Sequence, residues 1–149
     1  MSDSLGAACI SFDSRISLLA PQVILPTEDY IEERVLQVAQ EIIKEGVWIE
    51  PILVERRSLI IMDGHHRREF ARRYLLAVVP CLLLDYSEVV LTSRKAGIHI
   101  SPDEVILRGL QHRPYPAKTT RHVVNAGSLL GCRYSLSELS SYNTDIART

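Results

Sequence analysis

Leu59-Ile60-Ile61-Met62-Asp63-Gly64-His65-His66-Arg67-Arg68-Glu69-Phe70-Ala71-Arg72-Arg73-Tyr74-Leu75-Leu76 changes its pattern half-way, and that change decides the fold. Leu59 to Met62 is a short apolar run of the kind that forms a strand. Asp63-Gly64 ends it, and glycine permits a tight turn there. From His65 to Leu76, Phe70, Ala71, Tyr74 and Leu75 share one helical face, with the arginines mostly on another. The segment reads as a strand-to-helix turn. A helix N-terminus offers unpaired N–H groups and a partial positive charge, so such a turn is suited to a phosphate. Arg67 can add a bidentate contact, and His65 and His66 further hydrogen bonds. Asp63 can orient a hydroxyl or hold a phosphate-bound cation. A plain solvated turn would use the same residue types.

Upstream, Pro51 precedes the strand Ile52-Leu53-Val54, and the polar Arg56-Arg57-Ser58 separates it from Leu59. Val35, Leu36, Val38, Ala39, Ile42 and Ile43 follow a helical period that predicts a helix over 31–45, stopped by Gly46. Thr27 is placed to cap it, and Glu28 to sit in its first turn where the dipole favours a carboxylate. Downstream, Val78 to Leu84 is apolar throughout and predicts a central strand. Val89-Val90-Leu91 predicts a fourth strand. Ser101-Pro102-Asp103-Glu104 opens another helix, running to about Gly109. Ser11 to Leu19 has room for an edge strand. These elements predict an α+β or α/β class: one compact domain, a small mixed sheet flanked by helices, over residues 1–122 with its core at 22–122. Residues 123–149, rich in Ser, Asn and Gly, read as a C-terminal extension, partly packed or flexible.

A second motif is Lys118-Thr119-Thr120-Arg121-His122. Two cations, two hydroxyls and an imidazole in five positions suit a small anionic ligand, or else a solvated basic loop. In the stretch Thr92-Ser93-Arg94-Lys95, two further cations could meet an anion. Trp48, with Val47, lies between Gly46 and Pro51 and either fills the core or contacts a base or substrate. The 149 residues carry 17 Lys and Arg against 18 Asp and Glu, a net charge of −1. No basic excess is present, so nucleic acid is not expected as a partner. Three cysteines, Cys9, Cys81 and Cys132, are too few and too scattered for a disulfide framework or a zinc site. With no apolar run long enough for a membrane span and no leader pattern, a cytoplasmic location is expected.

The quoted motifs, in order from Pro26-Thr27-Glu28 through Asp63-Gly64-His65-His66-Arg67 and Asp85-Tyr86 to Lys118-Thr119-Thr120-Arg121-His122, resemble the free L-serine kinases of the ParB/sulfiredoxin-like superfamily. That group includes archaeal ADP-dependent enzymes and the serine kinase of staphyloferrin B biosynthesis. The resemblance implies a kinase that converts free L-serine to O-phospho-L-serine with ATP or ADP as donor and Mg²⁺ on the nucleotide. It implies Glu28 as general base, with Asp63 assisting at the hydroxyl or the metal. Gly64, His65, His66, Arg67 and Lys118 would bind nucleotide or phosphate, and Thr119, Thr120, Arg121 and His122 the substrate. An assembly of two copies is compatible with it. The alternative on this fold is a ParB-like module that binds CTP or ATP in regulation or DNA partition, without kinase activity. A sulfiredoxin-type reductase needs a cysteine in the turn, where this chain has His65.

Overall fold

The strand Val79–Leu84 is buried along nearly its whole length because both of its faces are covered. The computed structural model describes residues 16–125 and 131–142. In chain order the strands are β1 (Ile16–Leu19), β2 (Val47–Trp48), β3 (Ile52–Glu55), β4 (Ile61–Asp63), β5 (Val79–Leu84), β6 (Val89–Ser93), β7 (Thr120–Val124) and β8 (Tyr134–Ser135). The helices are α1 (Glu32–Glu45), α2 (His65–Arg73), α3 (Pro102–Leu110) and α4 (Leu136–Ser141). The main sheet has the order β1-β5-β3-β4. It is mixed: β5 runs parallel to β3, while β1 and β4 pair antiparallel to their neighbours. The expected edge strand therefore exists from Ile16, and the apolar run at 79–84 is central as its composition predicts.

Alternation along the strands builds two cores. Ile52, Val54, Ile61, Val79 and Cys81 face one side, against Phe70 and Ala71 of α2. Leu53, Met62, Leu82 and Leu84 face the other, against Val105 of α3 and Val89. Gly109 lets α3 press onto the sheet, because a Cβ there would collide with Ile60 and crowd Thr27. Trp48 takes the core alternative. It is 1% exposed, tilted against Phe70 with centroids 6.2 Å apart, and its Nε1–H donates to the Glu50 carbonyl at 2.7 Å. No ring face is left for a base, while Val47 stays half-buried beside it on β2.

Three local readings change. The first helix begins at Glu32, with Ile31 as its N-cap residue and no side-chain cap. Thr27 instead is fully buried and its hydroxyl donates to the Ile61 carbonyl at 2.8 Å. Glu28 thus lies ahead of α1 in an extended segment bridged to Tyr115. Val89 to Ser93 is a strand, but it leaves the main sheet and pairs with β7 in a separate antiparallel ribbon. In the region after residue 122, β8 pairs with β2, and Cys132 and Leu139 are buried in the first core. Glu138 accounts for the start of α4: it and Ser135 form a reciprocal capping box.

Candidate functional site

A cleft of about 650 Å³ opens where three segments of the chain converge: the extended stretch before α1, the N-terminus of α2, and the start of β7. Glu28, Asp63, Gly64, Lys118, Thr120 and Arg121 are among its lining residues. The two sequence motifs, more than fifty residues apart, therefore face one space.

Glu28 joins them. Its Oε1 accepts the Lys118 N–H at 3.1 Å, and its Oε2 accepts the Thr120 N–H at 2.6 Å and the Thr120 hydroxyl at 2.5 Å. Lys118 reaches this geometry with φ at +60°, a left-handed conformation that costs a non-glycine residue on the order of 1 kcal/mol and is retained where the surroundings enforce it. Three charge-assisted hydrogen bonds supply the enforcement. Thr119, between them, is fully buried and donates its hydroxyl to the Pro116 carbonyl at 2.6 Å.

At the turn, Gly64 has φ +114° and, among the described residues, no side chain caps α2. A Cβ on Gly64 would lie 3.1 Å from two Ile52 carbons and 3.3 Å from the Arg67 guanidinium. Arg67 itself is committed: it donates to the Glu50 and Pro51 carbonyls at 2.5 and 3.0 Å and approaches Asp63 at 3.7 Å. Asp63, at the end of β4, is 62% exposed in the cleft.

The two histidines do something the sequence does not display. His65 Nε2 accepts the N–H groups of Thr27 and Glu28 at 3.0 and 3.2 Å. His66 Nε2 accepts the N–H of Ile31 at 3.1 Å. Both Nε2 atoms are therefore unprotonated acceptors that hold the 27–31 segment across the mouth of α2, and the ring proton of each neutral imidazole sits on Nδ1. Burial, with lesser contributions from His122, His66 and Arg68, pushes the His65 pKa down to about 3. Burial also lowers that of His66. The nearby carboxylates of Glu28 and Asp63 act on His66 in the opposite sense, against burial.

His122 lies on β7 with Nε2 2.9 Å from the Tyr86 hydroxyl, while its Nδ1 is buried without a partner among the described residues. Burial holds its pKa down at about 4. Arg34 and Arg94 also line the cleft. Arg34 lies among the exposed positions of α1, where nothing local in the sequence marks it as lining a site, whereas Thr27 and Tyr86 stand within the quoted motifs and contact the site through His65 and His122.

Behind the site, Glu69 of α2 is 2% exposed and accepts from Arg72 and Arg73, and Arg73 also grips Glu32 of α1 with two bonds of 2.6 and 2.8 Å. Burial pushes the Glu69 carboxyl up, but the two arginines outweigh it and leave it below its ordinary value. The network fixes α1 to α2 and so fixes one wall of the cleft.

The chain superposes on a solved free serine kinase in complex with AMP, with a TM-score of 0.74 at 13% identity, over 84% of this chain and 93% of that one. The fold is that of the free serine kinases. A C-terminally truncated SbnI from Staphylococcus aureus superposes with a TM-score of 0.78 at 12% identity, over 94% and 95% of the two chains. In sequence, the chain is similar to a ParB-like protein of Sulfolobus acidocaldarius, 28% identical over 92 residues. That match takes in 62% of this chain and 46% of the relative, so the chain spans just under half of the curated relative's length. No protein-family model matches the chain. Among the described residues, no helix is long and apolar enough to cross a membrane.

Proposed function

We propose that the chain is a nucleotide-dependent kinase that phosphorylates the hydroxyl of free L-serine to O-phospho-L-serine, with ATP or ADP as donor. One observation carries the proposal: a carboxylate, Glu28, is pinned by the Lys118 and Thr120 amides inside a cleft that also opens on the uncapped N-terminus of α2. That is a fixed base facing an anion-binding helix end. The free serine kinase structures solved with AMP and with ADP supply the same fold around a nucleotide.

Phosphoryl transfer asks a protein chiefly to position and to stabilise charge. In this reading the α2 amides and Lys118 take the donor's phosphates. Glu28 Oε2 already has two donors, whereas Oε1 has one and keeps capacity for a second. Oε1 accepts the serine hydroxyl proton as the new O–P bond forms and the donor's terminal phosphoanhydride bond breaks. His65 and His66 act through Glu28, holding its backbone segment in place, rather than donating Nε2 protons to phosphate. Asp63, a single exposed carboxylate beside the turn, fits Mg²⁺ that is bound mainly by phosphates and water and supplies charge neutralisation there.

The test is phosphoryl transfer by the purified protein with Mg²⁺, ATP or ADP, and a panel of free amino acids. Formation of O-phospho-L-serine is expected; none with either donor refutes the proposal. The ParB-like relative favours a second reading, a nucleotide-binding regulatory or partition module. CTP binding together with a DNA gel shift, in the absence of turnover, would select it.

A further inference from the structure

Among the described residues, most arginines have fixed partners. Arg56, Arg67, Arg72 and Arg73 pair with carboxylates, and Arg68 donates to the Pro21 carbonyl. On the wall of the cleft formed by the β6–β7 ribbon the pattern reverses. Arg94, Lys118 and Arg121 all line the cleft, and among the described residues none of their side chains has an ion pair or hydrogen bond.

Arg94 is held there by its main chain. The ribbon register places Ser93 opposite Thr120, and one residue further the Arg94 N–H donates to the Thr119 carbonyl at 2.8 Å. The Arg94 backbone is thereby tied directly between Lys118 and Thr120, the two residues whose amides hold Glu28. Lys95, the next cation, does not line the cleft. Three unpaired cations on one wall create a positive potential that an oxyanion would relieve. The wall is separate from the α2 N-terminus, which offers its own anion site.

We propose that Arg94 is a specificity residue that reads the carboxylate of the acceptor, so that the site selects free amino acids over neutral hydroxyl compounds. The inference rests on the kinase reading, in which the donor's phosphates take the α2 end and Lys118 and leave the Arg94 part of this wall to the acceptor. A guanidinium and a carboxylate match as two parallel N–H···O bonds, which a lysine cannot reproduce.

The test compares wild type with Arg94→Ala, Arg94→Lys and the control Lys95→Ala, using L-serine, L-serinamide and the nucleotide. In steady state, Arg94→Ala is expected to raise the KM for L-serine roughly 10- to 150-fold, the range for losing a charged hydrogen-bonded contact. The nucleotide KM should stay within about twofold, and the preference for L-serine over L-serinamide should collapse. Arg94→Lys should recover only part, and Lys95→Ala should match wild type. Calorimetric binding of the same ligands gives a reading that needs no turnover. If no phosphate is transferred but wild type binds L-serine over L-serinamide and Arg94→Ala does not, the kinase reading fails and this assignment stands. Equal binding of serine and serinamide by wild type, an unchanged Arg94→Ala, an effect on nucleotide alone, or an equal effect of Lys95→Ala would each overturn it.

Discussion

Replacing Glu28 by glutamine removes a charge without removing bulk, and it takes an acceptor away from the clamp between the two motifs. The carboxylate accepts three donors: two amides, on Lys118 and Thr120, and one hydroxyl. A glutamine side chain has one acceptor oxygen and one NH₂, so in either flip an NH₂ faces at least one backbone N–H. Hydrogen bonds to a charged acceptor are worth about 1.5–3 kcal/mol each, and Thr120 is only 7% exposed, so water replaces its partners poorly. Losing one such bond and weakening the others gives an expected destabilisation of about 2–4 kcal/mol. The left-handed Lys118 should also relax, since the bonds enforcing it are lost or weakened. Urea denaturation followed by circular dichroism measures the first effect. Amide hydrogen exchange at Lys118 and Thr120 measures the second, with both amides protected in wild type and exchanging at least about tenfold faster in Glu28→Gln. Turnover should fall with them. A variant within about 0.5 kcal/mol of wild type, with both amides still protected, would refute the idea that Glu28 joins the two motifs.

Gly64→Ala places a Cβ 3.1 Å from Ile52 at a φ of +114° and should cost about 1–3 kcal/mol by thermal denaturation, with nucleotide affinity falling as well; wild-type values for both would remove the need for glycine at the turn. Glu69→Ala leaves Arg72 and Arg73 without their shared buried partner and should cost about 3 kcal/mol in urea, toward the lower end for a broken buried pair because the arginines themselves reach solvent. The pH dependence has a definite sign. His65 and His122 have folded pKa values of about 3 and about 4 against an ordinary 6.5, so the unfolded chain takes up their protons first on acidification. Their contribution is complete above about pH 6.5. It should fall by up to about 1.4 kcal/mol per pH unit for each histidine, His122 until about pH 4 and His65 until about pH 3. Removing one of them, as in His122→Asn, should flatten the stability profile between about pH 6.5 and pH 4, and an unaltered slope would contradict the neutral, buried assignment.

Much of the fold is written locally. The continuous apolar runs at 52–54 and 79–84 give the two parallel central strands, because a strand covered on both faces favours apolar residues on both. The start of α3 is explicit in Ser101 and Pro102, and the Ser101 hydroxyl does accept the Glu104 N–H. The start of α1 was not legible. Thr27 has the chemistry of a cap, but its amide and hydroxyl are claimed by His65 and Ile61, residues more than thirty positions away. Long-range partners of this kind leave no trace in a local window. The same is true of Tyr134 to Ser141, whose pairing with β2 and burial of Leu139 depend on surfaces built elsewhere in the chain.

The sequence alone determined which residue types could meet an anion: a glycine turn opening a helix, and the Lys118–His122 cluster. Both depend on backbone and side-chain chemistry within a few positions. Only the tertiary structure decided how they are used. It turned the two histidines inward as acceptors, committed Arg67 to carbonyls, clamped Glu28 between two amides, and left Arg94, Lys118 and Arg121 facing the cleft unpaired among the described residues. A donor's role is set by which partner reaches it first, and here nearly every such partner comes from a distant part of the chain.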